Sequence, residues 1–405
     1  MLKNSLDIIK ETIFDQNLPL IQYNLDQLLS YRQNMLDILL KFWQINQEFQ
    51  NLPIIEKGDM KFYKSHIPRK KITTSGTTAA PFEYFVSEDY FKRIEIDLHY
   101  KYVLQEFNLD KPISVLSINV FPHKGTRGYQ KIKWKDKFFW LRRFTEDNDY
   151  FLTHAANGNF FHFIYYPDQI DIFCDYLINV FFKENKIDVF LSSFSFISIL
   201  LSYTSEKIAY LISTTYEGVL PEEIPNVLKI CDYFCDHMRC WDGGTTFITC
   251  KHGNKHILDY LSYVESIEGK LVSTDYFNTV GRFIRYWNGD YCEIDEKWEK
   301  CDCGRYYRKF HLEGNRKPFL AMNNMTSWEI GGVLRIWLQE MSQAICYKDK
   351  IVIVTTKNLD IEKQEKIKSL LKTNVEFKVN CFEHSGRFGK ILKIINKTNE
   401  IYLVN

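Results

Sequence analysis

The chain lacks any run of about 18 consecutive apolar residues, the length a helix needs to cross a bilayer. Its amino terminus, MLKNSLDIIKETIFDQNLPL, sets acids among the apolar positions and so has no signal-peptide core. Both absences point to a soluble, cytoplasmic protein with no membrane partner. Blocks of like charge are also missing: 52 Lys and Arg nearly cancel 51 Asp and Glu, leaving +1. Phosphate backbones are held by clustered cations, so nucleic acid is disfavoured as the main ligand. There is no internal repeat and no low-complexity tract. Cysteine is sparse, ten in 405 residues, too few for a disulfide-stapled secreted scaffold.

What is present is 45% apolar and 16% aromatic sequence, enough for one large core and a smaller one. Leu25, Leu28, Leu29, Leu36, Leu39, Leu40 and Trp43 recur at three- and four-residue steps, which predicts a long amphipathic helix in an amino-terminal helical segment of about residues 1–65. ISVLSINVF (Ile113 to Phe121), IDVFLSS (Ile187 to Ser193) and IAYLIST (Ile208 to Thr214) read as strands, the last two separated by helix-like FSFISILLSY. That alternation predicts a parallel α/β sheet. IVIVTT, IEKQEKIKSLLKT and VEFKVNCF form a separate α+β unit, with a boundary in EGNRKP, Glu313 to Pro318. The expected domains are therefore 1–314 and 315–405. The basic-aromatic run YQKIKWKDKFFWLRRF (Tyr129 to Phe144) reads as a strand pair with a solvated face; a zinc-stabilised nucleic-acid binder is its weaker functional reading.

KKITTSGTTAAPF (Lys70 to Phe82) is rich in hydroxyls and backbone donors suited to a polyphosphate, or is a Ser/Thr turn before a strand. Further segments follow it in order. LPIIEKGDMK (Leu52 to Lys61) precedes it; STTYEGVLPEE, MRCWDGGTTF, GKLVSTDYFNTVGRFIRYWNGD, CDCGR and HSGRFGKIL come after. In this order the segments resemble the signatures of the adenylate-forming superfamily, most closely its phenylacetate-coenzyme A ligase-like branch. The resemblance runs from about Leu52 to Lys393, with an unmatched middle from Phe85 to about Lys186.

The resemblance implies an α/β fold with a large multi-sheet N-terminal adenylation domain and a small mobile α+β C-terminal domain. It implies activation of a small carboxylic acid by ATP and Mg2+, then acyl transfer to coenzyme A, a carrier protein or an amine. On this sequence the nucleotide set becomes Thr74, Ser75, Gly76, Thr77, Thr78, Glu217, Trp241, Asp242, Gly243, Thr245, Thr246, Asp290 and Arg305, with Lys390 as the adenylation lysine. Asp290 would bond the ribose; its bland alternative is an Asn-Gly-Asp hairpin, and that of Lys390 is a solvated loop lysine. Two departures stand out. Thr246 occupies the place of a magnesium-binding glutamate, which leaves Glu217 as a substitute acid, and Ala79 and Ala80 stand where relatives carry Gly and Lys. A catalytically weakened nucleotide- or acyl-binding module is therefore the alternative function. A homodimer is an open partner.

Seven of the ten cysteines fall between Cys231 and Cys303. Cys250 and His256 in CKHGNKH, with Cys301 and Cys303 in CDCG, offer four ligands from two loops, suiting structural Zn2+. Metal-containing members of the branch carry a similar pattern. His252 competes with His256, and free thiols in a reducing compartment are the alternative. Cys231, Cys235 and Cys240 read as helix or core thiols, and no feature orients a Cys–His nucleophilic dyad.

Overall fold

In a computed structural model, residues 2–13, 15, 17–60, 69–73, 83–87, 90, 99–109, 113–120, 129–144, 159–166, 169–215, 219–239, 243–315, 325, 327–338, 342–347, 349–381 and 392–396 are described. Helix α1 (Leu2–Ile13) leads to α2 (Leu25–Phe42), which starts where the Asn24 side chain accepts the Gln27 N–H at 3.1 Å. Leu28, Met35, Leu36 and Leu39 form its buried stripe, while Leu29 is 40% exposed and Trp43 caps the end.

A hairpin of β1 (Arg69–Thr73) and β2 (Glu83–Ser87) precedes α3 (His99–Glu106). The large sheet then takes β3 (Val115–Val120), β4 (Gln130–Trp134), β5 (Lys137–Phe144), β6 (Phe160–Tyr165), β7 (Ile187–Ser192), β8 (Ala209–Thr215), β9 (Cys231–Arg239), β10 (Thr246–Thr249) and β11 (Lys255–Ile257). Their order is β11-β10-β9-β8-β7-β3-β6-β5-β4, with a parallel centre (β9, β8, β7, β3, β6) and antiparallel flanks. Helix α4 (Ile170–Tyr176) and helix α5 (Phe194–Leu200) supply crossovers, as the α/β alternation predicts. The basic-aromatic run is the β4–β5 hairpin: Lys135 and Asp136 turn at positive φ, and alternate side chains of β4 are exposed.

A second, antiparallel sheet is β12 (Ser262–Ile267), β13 (Lys270–Asp275), β14 (Tyr286–Lys300) and β15 (Tyr306–Asn315). The C-terminal unit joins α6 (Ser327–Leu338), β16 (Ser342–Cys346), β17 (Lys350–Thr355), α7 (Ile361–Leu371), β18 (Asn374–Val379) and β19 (Leu392–Asn396) in a sheet ordered β18-β17-β16-β19. Ile330, Leu334, Ile351, Ile353, Ile367 and Leu371 make its own core, separate from the two clusters that line the faces of the large sheet. No helix among the described residues is long and apolar enough to span a membrane.

Of the helix and core readings of these thiols, Cys231 and Cys235 take the core one: both are buried on strand β9, and Cys240 lies outside the described residues. Burial pushes the Cys231 thiol up to about 12.

Candidate functional site

Strand β10 carries a candidate region at each end. At its entrance, residues 243–246 turn from β9 into β10 and pack on β13 and β14. A Cβ on Gly243 would meet Ser273 Oγ at 2.5 Å and the Tyr286 ring at 3.0 Å; one on Gly244 would meet Asp275 Oδ2 at 2.6 Å. Thr245 and Thr246 are fully buried, and Thr246 pairs with Arg239 across the ladder. Asp275 is itself committed: Oδ2 accepts the Tyr90 hydroxyl at 2.7 Å, and Oδ1 accepts the N–H groups of Phe277 and Asn278.

Asp290 lies on β14, which runs unbroken through Asn288, Gly289 and Asp290. The hairpin alternative therefore fails. Val272 pairs with Trp287 and Lys270 with Tyr291, so two extra residues of β14 bulge there. Asn288 Nδ2 donates to Asp290 Oδ2 at 2.9 Å, Asn288 Oδ1 accepts the Asp290 N–H at 2.9 Å, and the Trp287 indole N–H donates to the Asp290 carbonyl. Thr74, Ser75, Gly76, Thr77, Thr78, Glu217, Trp241, Asp242 and Lys390 lie outside the described residues. The flanks of the hydroxyl-rich run, Thr73 and Glu83, are paired in the β1–β2 ladder.

At the exit of β10, two loops of the same local design face each other. Cys250 accepts the Gly253 N–H on its carbonyl and gives its own N–H to Asn254; Cys301 does the same with Gly304 and Arg305. Each loop needs glycine at its third step, where φ is +80° for Gly253 and +93° for Gly304. These turns aim Cys250, Cys301 and Cys303 at His256 on β11, and the four donor atoms all lie within 4.8 Å of one another. His252 is exposed and outside this group, which removes it as the competing imidazole.

The separations suit a tetrahedral metal. Metal–sulfur bonds of about 2.3 Å and metal–nitrogen bonds of about 2.0–2.1 Å at the tetrahedral angle place two sulfurs about 3.8 Å apart and a sulfur and nitrogen about 3.6 Å apart. Cys250 Sγ and Cys301 Sγ are 3.8 Å apart, and Cys303 Sγ and His256 Nε2 are 3.6 Å apart. Hydrogen bonding from Cys303, then the bonds and charge of His256, hold the Cys250 thiol down to about 3 against its burial. Cys303 is pushed up by the neighbouring Cys250 thiolate and then by burial. Against its own burial, the thiolates of Cys250 and Cys301 raise His256. Three sulfurs and an imidazole at these separations are the donor set a tetrahedral cation takes.

Supporting groups surround it. Asn254 Nδ2 donates to Cys301 Sγ at 3.2 Å, and the His256 ring lies 4.7 Å from that of Tyr307. Arg305, expected in the nucleotide set, is instead fully buried behind the centre: its guanidinium is ion-paired with Glu106 and sandwiched 4.4 Å from the Tyr23 ring and 4.2 Å from the Tyr102 ring. Glu106 also accepts the Lys251 N–H at 3.1 Å, so one carboxylate ties both loops to α3. A second buried cluster lies nearby, where Asp259 receives Arg308 at 2.8 Å and Arg32 at 3.5 Å and both guanidiniums stack on Trp298. Glu106 and Asp259 escaped the sequence reading because they lie 199 and 49 residues from their partners.

No family model matches the chain, and no curated protein sequence does. Solved structures do. That of 2-hydroxyisobutyryl-CoA ligase in the postadenylation state in complex with R3-HIB-AMP aligns at a TM-score of 0.58 and 11% identity, covering 96% of this chain and 89% of the ligase. The same ligase in complex with 2-HIB-AMP aligns at 0.55 and 13% identity, with the same coverage of each chain. What is shared at this identity is the fold: the α/β architecture follows that of this CoA ligase along nearly the whole chain, in line with the fold expected from the ordered motifs.

Proposed function

We propose that the protein is an ATP-dependent carboxylate-activating ligase of the phenylacetate-coenzyme A ligase-like branch. The observation that carries this reading is the alignment of nearly the whole chain with a ligase whose structure contains an acyl-AMP, in a chain whose ordered motifs resemble the same superfamily. A carboxylate oxygen attacks the α-phosphorus of ATP, the α–β bridging bond breaks, and pyrophosphate leaves. A thiol or amine then attacks the acyl carbon and releases AMP. Coenzyme A is the first acceptor to test, since the structural neighbours are CoA ligases by name.

The chain's own groups have separable tasks in this reading. The phosphates are the task of residues 74–78, the ribose that of Asp290, and Lys390 balances the charge that develops as two anions meet. The inward packing of residues 243–246 against Ser273, Tyr286 and Asp275 fixes the turn on which the adenine would rest. Thr246 is enclosed and Asp275 is fully engaged, so the described residues supply no carboxylate for magnesium at this turn. Mg2+ enters as part of the substrate MgATP. The Cys3His centre fits Zn2+, which when bound would supply a closed, structural crosslink; Cys250, His256, Cys301 and Cys303 would hold it. The buried Thr246 favours one second reading, a nucleotide- or acyl-binding module of weakened catalysis.

Acid-dependent exchange of labelled pyrophosphate into ATP, across a panel of hydroxy, aromatic and fatty acids, tests the proposal. Exchange that needs an acid and is lost in Lys390→Ala supports it. Nucleotide binding without exchange supports the second reading, and neither binding nor exchange refutes both.

A further inference from the structure

The C-terminal unit has its own core, yet a buried ion pair joins it to the connection between β8 and β9. Helix α6 turns Ile330, Leu334 and Leu338 into that core and carries Arg335 outside it. Arg335 donates Nε–H to Glu223 Oε1 at 2.9 Å and Nη2–H to Oε2 at 2.8 Å, with both side chains about 5% exposed or less. Oε2 also accepts the backbone N–H of Leu220 at 2.8 Å, and the guanidinium lies 5.1 Å from the Phe194 ring at the start of α5. Three residues earlier on the same face is Gly332, where a Cβ would lie 2.1 Å from Leu220 Cδ1. A side chain there would have to displace the end of Leu220.

We infer that Glu223 and Arg335 form a docking clamp, a pair of positioning residues that seats the C-terminal unit on the stretch leaving β8. An apolar contact of equal area would hold the surfaces together, but a bidentate guanidinium–carboxylate pair fixes their mutual orientation as well. The clamped stretch, residues 219–227, is the connection from β8 to β9, so the pair seats the unit on the link between two neighbouring parallel strands of the large sheet. The docking rests on geometry alone. Only its bearing on turnover rests on the ligase reading.

Hydrogen–deuterium exchange on the full-length protein tests the clamp without invoking any activity. In Arg335→Met, amides of residues 219–227 and of α6 should exchange roughly a hundredfold faster, the scale of stranding one partner of a buried pair, while β17 keeps its protection. The charge-exchanged double variant Glu223→Arg/Arg335→Glu should recover part of that protection. Unchanged exchange in residues 219–227 overturns the inference. So does an equal rise in β17, because Arg335 would then serve only the folding of its own unit. In an active preparation, Arg335→Met should lower kcat more than it raises the KM for the acid. Absence of all ligase activity in the unaltered protein would count against the ligase reading and leave the exchange result standing.

Discussion

The two ends of strand β10 are built on opposite principles. At the entrance, residues 243–246 pack tightly against β13 and β14, and the carboxylate beside them is already bonded, Asp275 to Tyr90 and to its own turn. At the exit, four donor atoms converge within 4.8 Å, three of them thiols that make no disulfide. A metal centre needs donors that face each other with their charge unspent, whereas a nucleotide seat needs a rigid surface with groups held at its rim. The contrast separates what each end can lose.

The largest effect should come at the exit. Cys301→Ser is expected to remove bound zinc, about one ion per chain by metal analysis, and to cost several kcal/mol of stability by thermal unfolding; His252→Ala should do neither. Glu106→Gln strands the buried charge of Arg305 and is expected to cost about 3–5 kcal/mol in urea unfolding, without changing AMP affinity per folded molecule. Gly244→Ala tests the other end. Its Cβ would press on Asp275 from a left-handed backbone at φ +74°, so about 1–3 kcal/mol of stability should go and AMP should bind more weakly, with zinc retained. The smallest effect on the fold belongs to Asp290→Asn, which should leave stability and zinc near those of the unaltered protein while lowering AMP affinity by about 1.5–3 kcal/mol by calorimetry. If Asp290→Asn released zinc, or Cys301→Ser abolished nucleotide binding in a folded chain, the division between the two ends would fail.

The parts legible in the sequence are those whose physics is local. Strands β3, β7 and β8 announce themselves by β-branched runs, and α2 by its stripe of leucines, because burial of one face imposes a period. The Cys/His donors stand out because each loop carries its glycine beside its cysteine. Cys231, Cys235 and Cys240 recur at four- and five-residue steps and leave helix and core readings open, whereas β9, which holds the first two, meets apolar clusters on both faces. Asn-Gly-Asp invited a hairpin, yet the register of β13 against β14 accommodates it as a bulge. The resemblance of CDCGR puts Arg305 in the nucleotide set, whereas its partner Glu106 and its flanking rings, Tyr23 and Tyr102, come from distant segments. Pairing across such distances is a product of the tertiary fold, and single-sequence spacing carries no trace of it.

The chemistry itself can be followed in one atom. In adenylation a carboxylate oxygen becomes a phosphate oxygen of AMP once the acyl group has left. The acid that supports pyrophosphate exchange should therefore be supplied with both carboxyl oxygens as oxygen-18, and the AMP released on acyl transfer analysed by mass spectrometry. Each AMP formed should carry one labelled oxygen; unlabelled AMP, or conversion of ATP to ADP and phosphate instead, would contradict adenylation.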